Sequence, residues 1–141
     1  MTLNEKQQEI IEEFQMFDDW MDKYNYLIEL SKDLPEMPPE QKTEDNLIEG
    51  CQSKVWLHGE MDDGTLKFSA DSDAIITKGI IALLIEVLSG RTPKEIKDAD
   101  LYFIDQIGLK ENLSPTRSNG LVAMINKIKA YAMAYDAKQN Q

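Results

Sequence analysis

The single cysteine, Cys51, is the side chain best suited to covalent chemistry. It lies in the stretch Asn46-Leu47-Ile48-Glu49-Gly50-Cys51-Gln52-Ser53-Lys54-Val55-Trp56. Gly50 permits the positive φ of a tight turn, so Cys51 is predicted where a loop meets a strand. A thiol without a resolving cysteine cannot run a dithiol cycle, but its thiolate can attack the outer sulfur of a partner's persulfide. A lone cysteine is more often a buried, inert core residue, and that alternative stays open.

Other nucleophilic and metal-dependent chemistries lack the residues they need. His58 is the only histidine, whereas zinc sites take about three or four nitrogen or sulfur ligands. Iron–sulfur clusters likewise need several thiolates. Along an extended strand His58 would lie roughly 20 Å from Cys51, which is too far for a cysteine–histidine pair. Neither a glycine-rich phosphate loop nor an H-E-x-x-H motif occurs. His58 is therefore interpreted as a strand residue with a local hydrogen bond.

The N-terminal third is predicted to be helical and to lead into a long connection. Residues 4–31 favour helix with one break, and Asp18 or Asp19 would cap the start of the second piece. The expected apolar stripe consists of Ile10, Phe14, Phe17, Met21, Tyr24 and Ile28. Three prolines make residues 33–46 a connection, and long connections are usually functional or mobile. This connection leads directly to Cys51.

A hairpin is predicted immediately after Cys51. Residues 54–60 and 65–70 alternate between apolar and polar side chains, and Asp62-Asp63-Gly64 supplies the turn. Two strands alone are marginally stable, so the hairpin must pack on helices or gain a strand. Leu47–Glu49 is a possible short third strand.

Helices are predicted to follow the hairpin. They cover residues 73–89, 93–98 and 101–108, and the second opens with a capping box between Thr92 and Glu95. A last helix starts at Pro115 with Ser114 as its N-cap. Ser72 is the expected N-cap of the helix over 73–89. Apolar residues cover nearly the whole circumference of this helix, so it is expected to be the buried spine of the domain. Residues 101–108 also fit a strand, but their spacing favours helix. Gly120 is expected to pack closely against a neighbour, and the tail from Lys138 is expected to fray. The fold class is α+β, a small antiparallel sheet covered by helices on one side.

The charge is strongly acidic and unevenly distributed. The net charge is −11; residues 1–49 contain 14 acidic and 4 basic side chains, a net of −10. Such a surface repels a phosphate backbone, so nucleic-acid binding is not expected. The acidic residues form either a solvated helix face or a surface that steers a basic partner.

The length and composition predict one soluble domain over residues 1–141. The longest apolar run, 80–88, contains Glu86 and is far too short to span a membrane. No targeting segment is visible, and one cysteine cannot form an internal disulfide. The expected location is the cytoplasm.

Five motifs, in this order along the chain, resemble successive signatures of the SufE family. They are Tyr24-x-Tyr-Leu-Ile-Glu-Leu, Leu34-Pro35, Gly50-Cys51-Gln52-Ser53-x-Val55-Trp56, Asp71-Ser72-Asp73-Ala74-x-Ile76-x-Lys78-Gly79 and Leu113-Ser114-Pro115-x-Arg117-Ser118-x-Gly120-Leu121. The combination is specific and spans about residues 17–135. The resemblance implies a SufE/NifU-like fold, similar to IscU-type scaffolds but without their cluster-binding cysteines.

The resemblance also implies an activity, a partner and site residues. Cys51 would accept persulfide sulfur from a SufS-type cysteine desulfurase, stimulate that enzyme and pass sulfur to an iron–sulfur scaffold complex. The chain itself would hold no cofactor, because pyridoxal phosphate belongs to the desulfurase. The residues carried over as site-supporting or partner-binding are Gly50, Gln52, Ser53, Asp71, Asp73, Lys78 and Arg117. For the last four, helix capping or structural ion pairing is an equal alternative.

Two other functional classes remain open. The chain could be an adaptor that binds and activates a desulfurase without carrying sulfur, an idea motivated by its acidic N-terminal helices. A stand-alone thiol peroxidase or thioltransferase is disfavoured, because neither a base nor a resolving thiol is visible. The chain is thus not expected to be a stand-alone enzyme.

Overall fold

The computed structural model describes residues 1–139 and has an α+β architecture, as predicted. Its helices are α1 (Leu3–Gln15), α2 (Trp20–Asp33), α3 (Ile75–Leu88), α4 (Pro93–Asp98), α5 (Phe103–Gln106) and α6 (Pro115–Gln139). Its strands are β1 (Val55–Asp62) and β2 (Thr65–Ser72). Short 3₁₀ turns occupy Pro39–Gln41, Glu44–Asn46 and Lys110–Asn112. Within residues 1–139, no helix combines the length and apolar character that a bilayer crossing requires.

The predicted hairpin is confirmed, and both strands end two residues later than expected. β1 and β2 pair antiparallel, with Leu57 opposite Ala70. Asp63 and Gly64 have φ values of 52° and 82°, as a tight hairpin turn of this type requires. Leu57 and Ala70 are fully buried on the face that packs against α3 and α6. The opposite face is covered less completely.

The free edge of β1 is covered by other means than a third strand. The predicted strand Leu47–Glu49 is reduced to a single antiparallel bridge between Leu47 and Trp56. Farther along this edge, the hydroxyls of Tyr131 and Tyr135 donate to the Leu57 and Gly59 carbonyls, each at 3.4 Å. Because these carbonyls are occupied, this edge of β1 presents fewer free groups to another strand.

Helix α3 is the buried spine that its composition predicts, although its start differs from the prediction. The sequence predicts Ser72 as the N-cap, but Ser72 ends β2 opposite Val55, and Ala74 occupies the cap position without a side-chain bond. Inside α3, Gly79 faces α2 so closely that a Cβ there would lie 2.3 Å from the Leu27 carbonyl oxygen. The missing side chain therefore sets the distance between α2 and α3.

The predicted break in the N-terminal helix is confirmed between α1 and α2. Asp19 caps α2 by accepting a hydrogen bond of 2.9 Å from the Asp22 amide. The prediction of a single apolar stripe is wrong at Met21, whose exposed fraction is 66%. Phe17 lies in the link between the helices, yet its ring packs against Phe14 with the centroids 5.9 Å apart. The break rotates α2 relative to α1, so one periodic pattern cannot describe both.

The C-terminal helices largely follow the predictions. α4 has the same bounds as the prediction and a complete capping box between Thr92 and Glu95. The segment 101–108 contains helix, not strand. Ser114 accepts a hydrogen bond from the Arg117 amide at 3.3 Å, as an N-cap of α6 should. The fraying expected from Lys138 is wrong for 138 and 139, which are helical, while 140 and 141 lie outside the described residues.

Candidate functional site

Cys51 lies at the tip of a loop whose two ends are tied together. We call residues 48–55 the Cys51 loop. At its base the Ile48 amide donates to the Val55 carbonyl at 2.8 Å, next to the Leu47–Trp56 bridge. At the tip Gly50 has a φ of 94°, so the predicted positive φ is confirmed. The loop therefore presents Cys51 as a hairpin presents its turn.

Asp73 ties the C-terminal end of the Cys51 loop, at Lys54, to the start of α3. Its carboxylate oxygen Oδ1 accepts from the Lys54 amide at 3.1 Å, and its own amide donates to the Lys54 carbonyl at 3.2 Å. The Ser72 hydroxyl donates to the same carbonyl at 2.8 Å. Asp73 is thus brought to the site as a backbone anchor.

The thiol of Cys51 rests against α6 at the one point where that helix has no side chain. Its Sγ lies 3.7 Å from the Gly120 carbonyl oxygen, to which it donates a weak hydrogen bond. A Cβ on Gly120 would lie 3.4 Å from Sγ. The expected close neighbour of Gly120 is therefore Cys51 itself.

Burial changes the chemistry of this thiol. Cys51 is half-buried, and desolvation raises its pKa above the ordinary value of 9.0. The thiol is therefore protonated at neutral pH while it rests on α6. Since the thiolate is the nucleophile, the resting position holds Cys51 in its less reactive form.

A small cavity of about 100 Å³ opens beside the thiol and brings together three segments that are distant in sequence. It is lined by Cys51, Gln52, Ser53, Ala74, Thr77, Ile80, Thr116, Arg117 and Met124. Three predicted site residues, Gln52, Ser53 and Arg117, thus lie with Cys51. Arg117 is exposed and has no ion-pair partner among residues 1–139. Thr77 is a lining residue that sequence reasoning missed, because nothing about a threonine in a helix indicates it.

The remaining predicted residues, Asp71 and Lys78, do not line this cavity. Asp71 lies on β2 and Lys78 on α3, and both meet Lys42, which sequence reasoning also missed, through the Asp71 carboxylate. The Asp71 carboxylate receives Lys42 Nζ at 2.5 Å and Lys78 Nζ at 3.3 Å. Partial burial works to raise the pKa of Asp71, but hydrogen bonds from Lys42, the Ser72 amide and Lys78 outweigh it and lower that pKa. These residues form an ion cluster near the base of the loop.

No residues of the described part of the chain form a convincing metal site. His58 lies on β1, as predicted, but its Nε2 is 3.6 Å from a Glu60 carboxylate oxygen, which is too far for the local hydrogen bond expected of it. No group of three or more histidine, cysteine or acidic side chains within residues 1–139 is arranged to hold a metal ion.

Comparisons with known proteins agree on one family. A model of the family SufE, described as an Fe-S metabolism associated domain, matches residues 8–132. A SufE-like protein of Rhizobium meliloti is 43% identical over 129 residues, covering 88% of this chain and 92% of that protein. A SufE-like protein of Rhizobium etli is also 43% identical over 129 residues, covering 88% and 87%.

One solved structure has the same fold. It is the solution structure of a hypothetical protein from Thermus thermophilus, with a TM-score of 0.76 at 24% identity. The match covers 92% of this chain and 94% of that protein. At this identity the likeness concerns the fold alone.

Proposed function

We propose, because the chain belongs to the SufE family, that it accepts persulfide sulfur on Cys51 from a SufS-type cysteine desulfurase. In doing so it stimulates the desulfurase, and it then passes the sulfur to iron–sulfur cluster assembly. One observation carries the proposal: the single thiol lies at the tip of a loop tied at both ends, while the tip itself rests on α6 through a weak thiol contact. Such a tip can leave and return without unfolding the elements around it.

The proposed transfer needs one thiolate and no oxidant. The Cys51 thiolate attacks the outer sulfur of the desulfurase persulfide, a new S–S bond forms on Cys51, and the S–S bond on the enzyme breaks. The enzyme's cysteine leaves as a thiolate and takes up the proton that Cys51 gives up. One sulfur atom changes carrier, and no net oxidation or reduction occurs.

The resting position of the thiol suits a carrier that must not react with other molecules. Burial holds the Cys51 pKa high, so the free protein presents mostly thiol. The partner would then have to extract the tip and supply positive charge or oriented amides that favour the thiolate. Arg117 at the cavity is the described cation best placed to contact the partner or the loop.

The setting of this reaction is also part of the proposal. Pyridoxal phosphate would be bound by the desulfurase, which generates the persulfide. The product would go to an iron–sulfur scaffold complex in the cytoplasm. A nucleic acid is not an expected partner, because the N-terminal third has a net charge of −10, from 14 acidic and 4 basic side chains.

Intact mass spectrometry tests the proposal directly. Wild-type protein incubated with a SufS-type desulfurase and cysteine should gain the mass of one sulfur atom, and a reductant should remove it. Cys51→Ser should gain nothing and should stimulate the desulfurase less than wild type. The matched control, Cys51→Ser with Ser53→Cys, moves the thiol within the same cavity wall and should gain far less sulfur. Wild-type protein that stays unmodified while the desulfurase turns over would refute the proposal.

The acidic surface favours one alternative, an adaptor that activates the desulfurase without carrying sulfur. The excess negative charge lies in residues 1–49, so a basic partner could dock there without using the thiol. Under this alternative, Cys51→Ser would bind and stimulate the desulfurase as well as wild type does.

A further inference from the structure

We propose that Lys42 is a positioning residue for Cys51: by binding Asp71 it fastens the segment before the Cys51 loop to the sheet and limits how often the thiol leaves α6. The contact and its effect on the loop concern the free protein, while their importance for sulfur uptake rests on the proposed function. Lys42 is nine residues before Cys51, in the connection that follows the prolines.

The contacts of Lys42 place it over the base of the loop. Its Nζ lies 2.5 Å from Asp71 Oδ2 and 5.7 Å from the centre of the Trp56 ring. Asp71 and Trp56 face each other across the β1–β2 ladder. Trp56 is also the residue that bridges to Leu47. One ammonium group therefore contacts both strands beside the bridge that closes the loop.

Asp71 can hold two cations because each uses a different oxygen. Lys78 Nζ lies 3.3 Å from Oδ1, and the Ser72 amide donates to the same oxygen at 2.8 Å. The side chain of Asp71 is 16% exposed, so an unpaired carboxylate there would be costly. If either lysine is removed, the other still neutralises the carboxylate. The two lysines thus differ in what they fasten: Lys42 holds the connection, whereas Lys78 belongs to α3.

Few other polar contacts hold this part of the connection to the sheet, and the buried side chain of Ile48 adds an apolar one. The Ser69 hydroxyl donates to Gln41 Oε1 at 2.8 Å, and the Ile48 amide donates to Val55. By contrast, the C-terminal end of the loop, at Lys54, continues directly into β1 and is bonded to Asp73. The end of the loop at Ile48 is therefore held by fewer polar contacts than the end at Lys54, and Lys42 is its charged fastening.

The consequence is a change in the balance between resting and open loop. Without Lys42 the segment before Ile48 gains freedom, so the weak contact between the thiol and Gly120 holds the tip on α6 for a smaller fraction of the time. An exposed ion pair is worth little, but this one is partly buried and has a cation–π contact beside it. We expect the open population, and with it the reactivity of Cys51, to rise about two- to fivefold.

Alkylation of Cys51 by iodoacetamide tests this inference, since no other thiol competes. Lys42→Met should react about two- to fivefold faster than wild type. Lys78→Met, the matched control, should react at the wild-type rate, and Lys42→Arg should restore that rate. Hydrogen exchange of the Ile48 amide should accelerate in Lys42→Met alone. Equal rates in Lys42→Met and wild type, or equal acceleration in both methionine variants, would overturn the inference.

Two further measurements keep the test decisive. If Lys42→Met does not fold, salt replaces it: added NaCl should accelerate alkylation of wild type more than that of Lys42→Arg, whose planar group holds a carboxylate more firmly. Equal salt responses would then count against the inference.

Sulfur uptake is measured separately. A wild-type protein that takes up no sulfur would refute the proposed function, whereas the alkylation rates would still decide the role of Lys42.

Discussion

Gly120 and Cys51 make the contact on which the resting state of the thiol depends. The helix offers a carbonyl oxygen 3.7 Å from Sγ and no side chain in between. Glycine inside a helix costs about 1 kcal/mol relative to alanine, so α6 gives up stability at this position. What it gains is room for the tip of the Cys51 loop.

A larger residue at position 120 should expel the thiol. In Gly120→Leu the new side chain would occupy the space of Sγ, so we expect alkylation of Cys51 to accelerate about tenfold, corresponding to ~1.4 kcal/mol. Asn119→Leu, on an exposed position of the same helix, is the control and should leave the rate unchanged. An unchanged rate in Gly120→Leu would mean that α6 does not hold the tip.

The raised pKa of Cys51 should be visible both in titration and in stability. The thiolate absorbance of folded protein should develop with a midpoint above 9.0, and that of urea-unfolded protein near the ordinary value. Because the folded pKa is the higher one, this group's contribution to stability is present below the unfolded pKa. It is lost as pH rises through the folded pKa. Wild type should therefore lose stability relative to Cys51→Ser over that range, measured by urea unfolding. A parallel loss in both would contradict the assignment.

At the scale of elements, the contact between α2 and α3 is the tightest in the structure to involve a glycine. A methyl group on Gly79 would lie 2.3 Å from a backbone oxygen of Leu27, which cannot move aside as a side chain can. Gly79→Ala should therefore lower the free energy of unfolding by about 1–3 kcal/mol, as overpacking does. Urea unfolding measures the change.

Gly120→Ala is the control for that substitution. Both glycines lie inside helices, but the three atoms nearest to a Cβ at 120 all belong to Cys51, with the thiol nearest at 3.4 Å. Alanine there should be neutral or stabilising by up to about 1 kcal/mol, because it removes the helix cost of glycine. Equal destabilisation by both substitutions would show that the α2–α3 contact does not decide the result.

Local signals in the sequence predicted the elements well, because each depends on residues close together. The hairpin turn at Asp63-Gly64 and the capping box at Thr92–Glu95 both need only a few neighbouring residues, and both are confirmed. Ser72 shows the limit: its N-cap propensity was overridden when pairing with Val55 extended β2 through it. Leu47–Glu49 likewise could not extend its pairing, because Gly50 turns the chain away after one bridge.

Residue types alone predicted the candidate site only next to Cys51, and the family resemblance added residues from farther along the chain. The positive φ of Gly50 followed from the residue type, and the family resemblance indicated Gln52, Ser53 and Arg117, which line the cavity. The ion pairing stated as an alternative for Asp71 and Lys78 is found, but the part of Lys42 in the cluster was not predictable, because Lys42 and Asp71 are far apart in sequence and meet only after the hairpin forms. An isolated lysine in a proline-rich connection carries no signal of its partner.

At the scale of the whole molecule, excess negative charge opposes compaction. The net charge is −11, and the N-terminal third carries −10 of it. Several of these carboxylates, including Glu12, Asp18 and Glu36, are exposed. Like charges at this density repel one another at low ionic strength and are screened by salt.

Salt should therefore stabilise the protein. We expect Tm to rise as NaCl increases, and Glu12→Gln, Asp18→Asn and Glu36→Gln together to raise Tm at low salt and reduce its salt dependence. Differential scanning calorimetry measures both effects. The control removes three exposed charges from the nearly neutral remainder, by Asp63→Asn, Asp100→Asn and Glu111→Gln, and should have a smaller effect. Equal effects would show that the uneven distribution of charge does not matter.

The ties on both sides of Cys51 also limit how far its sulfur can travel. Between Ile48 and Lys54, both bonded to the sheet or its extension, only residues 49–53 are free to swing outward. A chain spans at most about 3.5 Å per residue, so a tether of this length reaches roughly 10 Å from its roots. Under the proposed function, the donor sulfur would therefore have to lie in a recess no deeper than that, with a mouth wide enough to admit a doubled strand of backbone.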